Sequence, residues 1–334
     1  MLLPLLHPDP FQVIFQVMRL IFVTVSDHYF FPGTAAAINS VLRYHPEARV
    51  CVVNNNLHNA GLSPQQRDAL KSAGVELVEA RAFAKRGRKL AAWELKAYAA
   101  SDLPDSEDVL IGIDSDCVLC GPVHDVVAEA AATGRFIGGK DCPVDYDETY
   151  VSYGIDAPAR NEKYMSASLY ACALNEENRR ILRKWGHCCN RAEFGGRPDA
   201  LYPGHGDQGV LNAILFLDRG GDGVRVLKNT LWSQHHCYWQ HALELREGRI
   251  YNPYAKDWQR SLHCGGTRKF WTVAHLELLE RFQTHVLNYS WFLSMLWFGR
   301  CEVKADYFQN GHAHLAESLE RYRGQVEEFR QQLA

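Results

Sequence analysis

From Arg19 to Val25 the chain reads Arg-Leu-Ile-Phe-Val-Thr-Val, an almost unbroken apolar and β-branched run. That pattern predicts a strand buried on both faces rather than one with a solvated side. Ser26-Asp-His-Tyr29 ends it, and Thr34 to Tyr44 follows with small residues on the packing face of a predicted helix. Val50 to Val53 predicts a second strand, closed by Asn54, Asn55 and Asn56. Ser63 and Pro64 read as the N-cap and first position of a helix that ends at Gly74. Val75 to Val78 is a third short strand, Leu90 to Ser101 another helix, and Val109 to Ile113 the next buried strand. Strands alternating with helices predict an α/β fold built on a mostly parallel sheet flanked by helices on both faces.

Past about residue 140 the alternation loosens. Asn178 to Cys188 and Gly206 to Leu217 keep helical spacing, Arg219 to Gly223 is a turn, and Trp232, Trp239, Trp258 and Trp271 are scattered through loop-like sequence. Val273 to Leu333 reads as helical, and its apolar middle, Val286 to Phe298, is too short and interrupted to span a bilayer. We read that middle as a core-packed helix, and His312 to Leu333 as carrying a solvated face. Residues 1–18 are apolar but broken by Pro4, Pro8 and Pro10 and lack a basic start, which fits neither a signal peptide nor a spanning helix.

Charge narrows the choice of chemistry. With 36 Lys and Arg against 39 Asp and Glu in 334 residues, no broad basic surface marks a nucleic-acid-binding protein. Phosphate binding, if present, must be local. Ten cysteines in a chain this long show no regular spacing, and Cys117-x-x-Cys120 has no second half that would make a zinc site. They predict a reduced, cytoplasmic protein in which Cys117 and Cys264 serve as packing residues.

The sharpest local feature is Ile113-Asp114-Ser115-Asp116-Cys117, an apolar run leading straight into two carboxylates. In extended chain, positions i and i+2 share a face, so Asp114 and Asp116 converge at the carboxyl end of a strand, where open α/β sheets hold their ligands. Two carboxylates side by side repel, and a divalent cation removes that repulsion. A strand ending in an acidic turn is the plainer explanation. His263-Cys-Gly-Gly-Thr-Arg-Lys-Phe-Trp271 supplies an imidazole suited to Mn²⁺ beside carboxylates, and a lysine suited to a diphosphate. Gly204-His-Gly-Asp-Gln-Gly-Val-Leu-Asn212 puts Asp207 and Gln208 at a helix start, where Asp207 serves equally well as an N-cap.

In order and spacing these segments resemble glycosyltransferase family 8, the group of glycogenin and the bacterial lipopolysaccharide galactosyl- and glucosyltransferases. That family has a strand ending in Asp-x-Asp, then Asp-Gln-x-x-Leu-Asn, then His-x-x-Gly-x-x-Lys-Pro-Trp. The resemblance implies a GT-A (nucleotide-diphospho-sugar transferase) fold over residues 19–275, with an N-terminal extension at 1–18 and a helical region at 276–334. It implies transfer of a hexose, with retention, from a UDP-linked sugar to a glycan, lipid-linked or protein acceptor. Mn²⁺ or Mg²⁺ would be held by Asp114, Asp116 and His263. Gly266 and Lys269 would meet the diphosphate, Thr24, Ser26 and Tyr29 the nucleoside, and Ser115 the donor beside them. Lys96, Asp141, Asp207 and Gln208 would face the donor sugar. The helical region also suggests peripheral contact with the inner face of a membrane.

The chain departs from the family at Met165-Ser-Ala-Ser168, where the family has Phe-Asn-Ala-Gly, and at Phe270, which replaces a proline and so removes a rigid element from the last loop. Two other readings follow the same residues. A nucleotidyltransferase would carry a Gly-rich loop with Arg and Lys after the first strand, but Ser26 to Gly33 holds one glycine. A nucleotide-sugar or glycan-binding protein with impaired catalysis would fit the altered Ser166 and Ser168.

Overall fold

The computed structural model describes residues 18–56, 61–80, 92–101, 108–140, 163–191, 206–228, 232, 234–235, 243–247, 249–265, 269–273, 277, 286–301, 303 and 313–333. Strands β1 (Leu20–Ser26), β2 (Arg49–Asn54), β3 (Glu76–Glu79) and β4 (Val109–Ile113) alternate with helices α1 (Phe31–Tyr44), α2 (Pro64–Ser72) and α3 (Ala92–Ser101). After β4 come β5 (Cys117–Leu119), α4 (His124–Thr133), β6 (Phe136–Lys140), β7 (Met165–Ala173), α5 (Glu176–Arg191), α6 (Gly206–Arg219) and β8 (Val224–Leu227). Among the described residues a seven-stranded sheet runs in the order β3-β2-β1-β4-β7-β6-β8. Its pairs are parallel except those that β7 makes with β4 and β6. The fold is therefore mixed α/β with a mostly parallel central sheet.

The unbroken apolar run of β1 has the consequence its pattern predicts. Leu20 and Phe22 join the core under α1, while Ile21 and Val23 join the core under α3, α5 and α6, with Leu95, Trp185 and Leu211. α1 starts at Phe31, earlier than Thr34, because Pro32 suits a first turn and the Asp27 carboxylate accepts the Phe30 N–H at 2.9 Å. At α2 the Ser63 cap and Gln66 form a reciprocal capping box.

Short strands β9 (Gln234–His235), β10 (Glu244–Arg246), β11 (Arg249–Asn252), β12 (Asp257–Trp258) and β13 (Ser261–His263) make two further small sheets, one of which orders β5-β13-β9. The sequence pattern missed these, together with β6, β7, β8 and α4. The last stretch holds α7 (Val286–Trp297), α8 (Ala313–Arg321) and α9 (Arg323–Leu333). Among the described residues no helix is long and apolar enough to cross a membrane. α7 packs on α1, placing Tyr289, Trp291 and Phe292 in the same core as Phe31 and Ala35.

Asn39 on α1 locks that contact. Its Nδ2 donates to the Met295 and Cys301 carbonyls at 2.7 and 3.2 Å, and its Oδ1 accepts the Cys301 N–H at 2.7 Å. Gly299 passes so close that an added Cβ would lie 1.9 Å from the Asn39 Cγ. Asn39→Ala is expected to cost about 2 kcal/mol, because it strands buried backbone groups, and to show as a lowered denaturant midpoint.

Candidate active site

The carboxyl ends of β1, β2 and β4 open on a cleft of about 220 Å³. It is lined by Ser26, Asp27, Phe30 and Asn55 together with Lys96, Asp114, Ser115, Asp116 and Lys269, whose ammonium lies 5.7 Å from the centre of the Phe30 ring. Of these, Lys96, Asp114, Asp116 and Lys269 belong to a set of interlocked charges.

Lys96 is the buried centre of one half. Its ammonium lies 2.6 Å from Asp114 Oδ1 and 3.4 Å from Asp207 Oδ2, and it donates to the Ala167 carbonyl at 2.8 Å. Burial alone would push this lysine down, but the two carboxylates outweigh it and hold it above its ordinary value. Asp207 goes the other way. Burial raises it from 3.8 to about 6, with Asp114 adding to the rise and Lys96 only partly offsetting it. Asp207 sits in the first turn of α6, where its carbonyl accepts the Trp185 indole N–H at 2.8 Å.

The other half centres on Asp116, which ion-pairs with Lys269 and lies 3.5 Å from His263 Nε2. Burial raises Asp116, but His263 and Lys269 overcome that and hold its carboxyl well below the usual range. Lys269 stays above its ordinary value because Asp116 outweighs the effect of burial. The register of β5 against β13 makes this meeting possible, setting His263 directly opposite Cys117 and leaving Asp116 at the turn just before.

The remaining predicted residues fall into distinct positions. Ser26 lines the cleft and accepts the Thr34 hydroxyl at 2.7 Å. Thr24 is buried one turn of the pleat further back, its hydroxyl without a hydrogen-bond partner among the described residues. Tyr29 is exposed, its ring edge-on to Phe30 and Trp271. The Gln208 carboxamide accepts the Ala167 N–H at 2.9 Å and donates to the Tyr164 hydroxyl at 3.2 Å, tying α6 to β7. Asp141 and Gly266 lie outside the described residues.

Asn55 was not singled out from the sequence, although three asparagines at the carboxyl end of a buried strand were a signal. It is buried, and its Oδ1 has no hydrogen-bond partner among the described residues while the residue lines the cleft. The two departures at β7 and the last loop have local explanations. Ser166 and Ser168 share a hydrogen bond of 2.8 Å inside β7, and the Ser168 carbonyl accepts the Asp114 N–H at 2.7 Å. Phe270, in place of the proline, has a packing role. It is fully buried and stacks on Phe292 at 4.7 Å between ring centroids, anchoring the segment that carries Lys269.

Gly33 sets the tightness of this corner. A Cβ there would lie 2.2 Å from the Trp271 ring and 2.3 Å from the Ser115 carbonyl. In an open helix, Gly→Ala would stabilise by about 1 kcal/mol; here the clash decides the sign. Gly33→Ala is expected to destabilise by about 1–3 kcal/mol, read as a lower melting temperature.

The donor atoms of Asp116, Cys117 and His263 all lie within 4.8 Å of one another, a spacing that fits a divalent cation. Asp114 faces the same cleft but is engaged by Lys96.

No family model and no curated protein matches the chain. Solved structures do. The chain is similar to the WbbM bifunctional glycosyltransferase in its apo form, at TM-score 0.58 and 14% identity, covering 90% of this chain and 52% of that one. It thus spans about half the length of that protein. It is also similar to the galactosyltransferase LgtC in complex with donor and acceptor sugar analogues, at TM-score 0.52 and 16% identity, covering 91% of this chain and 99% of LgtC. At such identities the likeness concerns architecture: the chain has the GT-A glycosyltransferase fold.

Proposed function

We propose that this protein is a metal-dependent, retaining glycosyltransferase that moves a hexose from a UDP-linked sugar to an acceptor hydroxyl. The observation that carries this reading is the charge arrangement at the strand ends of a GT-A fold. Asp116 meets His263 and Lys269, Asp114 meets Lys96, and both carboxylates and both lysines line one cleft with Ser26 and Asn55. In this reading Ser26 and Asn55 meet the nucleoside, and Lys269 the diphosphate. Asp114, Asp116 and His263 are the residues assigned to hold the cation, and a divalent ion there supplies positive charge to the diphosphate as it leaves.

The chain's own groups do the rest. Lys269 exchanges the Asp116 carboxylate for a phosphate oxygen when the donor binds, so that its charge faces the departing group. Lys96 keeps Asp114 and Asp207 from repelling each other and fixes both against β7 through the Ala167 carbonyl. Asp207 then presents its carboxylate to the sugar side of the site, while Gln208 holds α6 against β7 beside it.

The test is incubation with a panel of UDP-, GDP- and ADP-sugars, with Mn²⁺ or a chelator, while free nucleoside diphosphate and the product's anomeric configuration are followed. Metal-dependent release of UDP, with retention on the acceptor or on water, is expected. Pyrophosphate release from a nucleoside triphosphate would favour a nucleotidyltransferase. Absence of turnover together with absence of metal-dependent UDP binding would end the proposal.

A further inference from the structure

We propose that Cys117 is a ligand of the divalent cation, giving the site a mixed oxygen, nitrogen and sulfur donor set that prefers Zn²⁺, Co²⁺ or Cd²⁺ to Mn²⁺ or Mg²⁺. This rests on the metal-dependent reading above and specifies the metal. The argument begins with register. Antiparallel partners directly opposite each other project to the same face, with Cβ atoms about 4.5–5.5 Å apart. β5 and β13 pair His263 with Cys117 in this way, so the thiol and the imidazole rise side by side. Asp116, in the turn that leads into β5, completes the group, and the three donor atoms lie within 4.8 Å of one another.

The other cysteine in this ribbon is placed differently. Cys264 follows His263 directly and is buried near Asp116 and Lys269, but it is not among the three residues whose donor atoms meet, and its backbone N–H is donated to the Asp116 carbonyl at 2.9 Å.

Chemistry then selects the ion. Hard oxygen ligands suit Mn²⁺ and Mg²⁺, whereas thiolate with imidazole and one carboxylate is a donor set for zinc-like ions. Cys117 is fully buried, its Sγ 3.7 Å from the Ser168 carbonyl. On coordination the S–H bond breaks, its proton leaves to solvent, and both electrons of that bond form the sulfur–metal bond. The Ser168 carbonyl keeps the Asp114 N–H as its donor.

The experiment is titration of the metal-free protein with Co²⁺, read by absorption. Visible ligand-field bands accompanied by a near-ultraviolet sulfur-to-cobalt charge-transfer band are expected. The charge-transfer band should persist in a Cys120→Ser, Cys264→Ser double variant and vanish in Cys117→Ser, with the ligand-field bands retained. In parallel, the preference for Cd²⁺ over Mn²⁺ should fall at least about tenfold in Cys117→Ser, the scale that even an outer-shell partner commands. Ligand-field bands without charge transfer in the wild type, or a band that survives Cys117→Ser, would overturn the assignment while leaving the metal reading intact. No Co²⁺ absorption and no metal-dependent UDP binding would overturn both. Should Cys117→Ser fail to fold, the double variant decides alone: a band supports Cys117, and its loss refutes it.

Discussion

Asp116→Asn is expected to lower transfer from a UDP-sugar by about 10³-fold, the scale of losing one fixed charge-stabilising group in a closed site. Asp116 is 6% exposed and is the meeting point of His263 and Lys269. An amide in its place keeps the shape, removes the charge that a cation needs, and leaves the Lys269 ammonium without its partner. Breaking a buried pair in this way costs about 3–5 kcal/mol, so the variant should also melt well below the wild type. Rate and stability can be separated. Asp116→Asn paired with Lys269→Met removes the orphan charge and should recover much of the stability, yet transfer should stay at the lower rate. Steady-state kinetics beside thermal unfolding of the three proteins would show this. A double variant that regained wild-type turnover would assign Asp116 a structural task only.

The site is a case in which the sequence carried the anchors but not the wiring. Asp114 and Asp116 stood out because β4 is a clean apolar run that ends on them. β7 did not stand out, although it lies in the middle of the sheet. Its sequence, Met-Ser-Ala-Ser-Leu-Tyr-Ala-Cys-Ala, is buried at every position, yet small and hydroxyl-bearing residues give no alternation to read. The supports of the site went unseen with it, since β7 supplies the Ala167 carbonyl to Lys96 and the Ser168 carbonyl to Asp114. The same limit applies to β5 and β13, each only three residues long. Cys117 was legible as a core residue, and it is one. Only the pairing of those two strands shows that it also faces His263.

The interlocked charges also predict how pH acts on the molecule. Burial, with Asp114 nearby, raises the Asp207 carboxyl from 3.8 to about 6. Between those values the folded chain holds a proton that the unfolded chain has released, so this group makes stability fall as pH rises through that window. The penalty is fully present above about pH 6, where it amounts to about 3 kcal/mol. Asp207→Asn cannot ionise and should lack this slope. In denaturant titrations of the metal-free protein from pH 4 to 8, the variant should match the wild type near pH 4 and exceed its stability by about 3 kcal/mol above pH 6. Turnover should show the opposite order, with the variant slower at every pH. Lys96→Met supplies the counter-test: without the ammonium that partly offsets burial, Asp207 should move higher still, carrying the wild-type slope to higher pH. Wild type and Asp207→Asn running parallel across the whole range would show that Asp207 ionises freely in the folded chain. A variant both more stable and less active above pH 6 would mean that the fold tolerates a strained carboxylate because the reaction uses it.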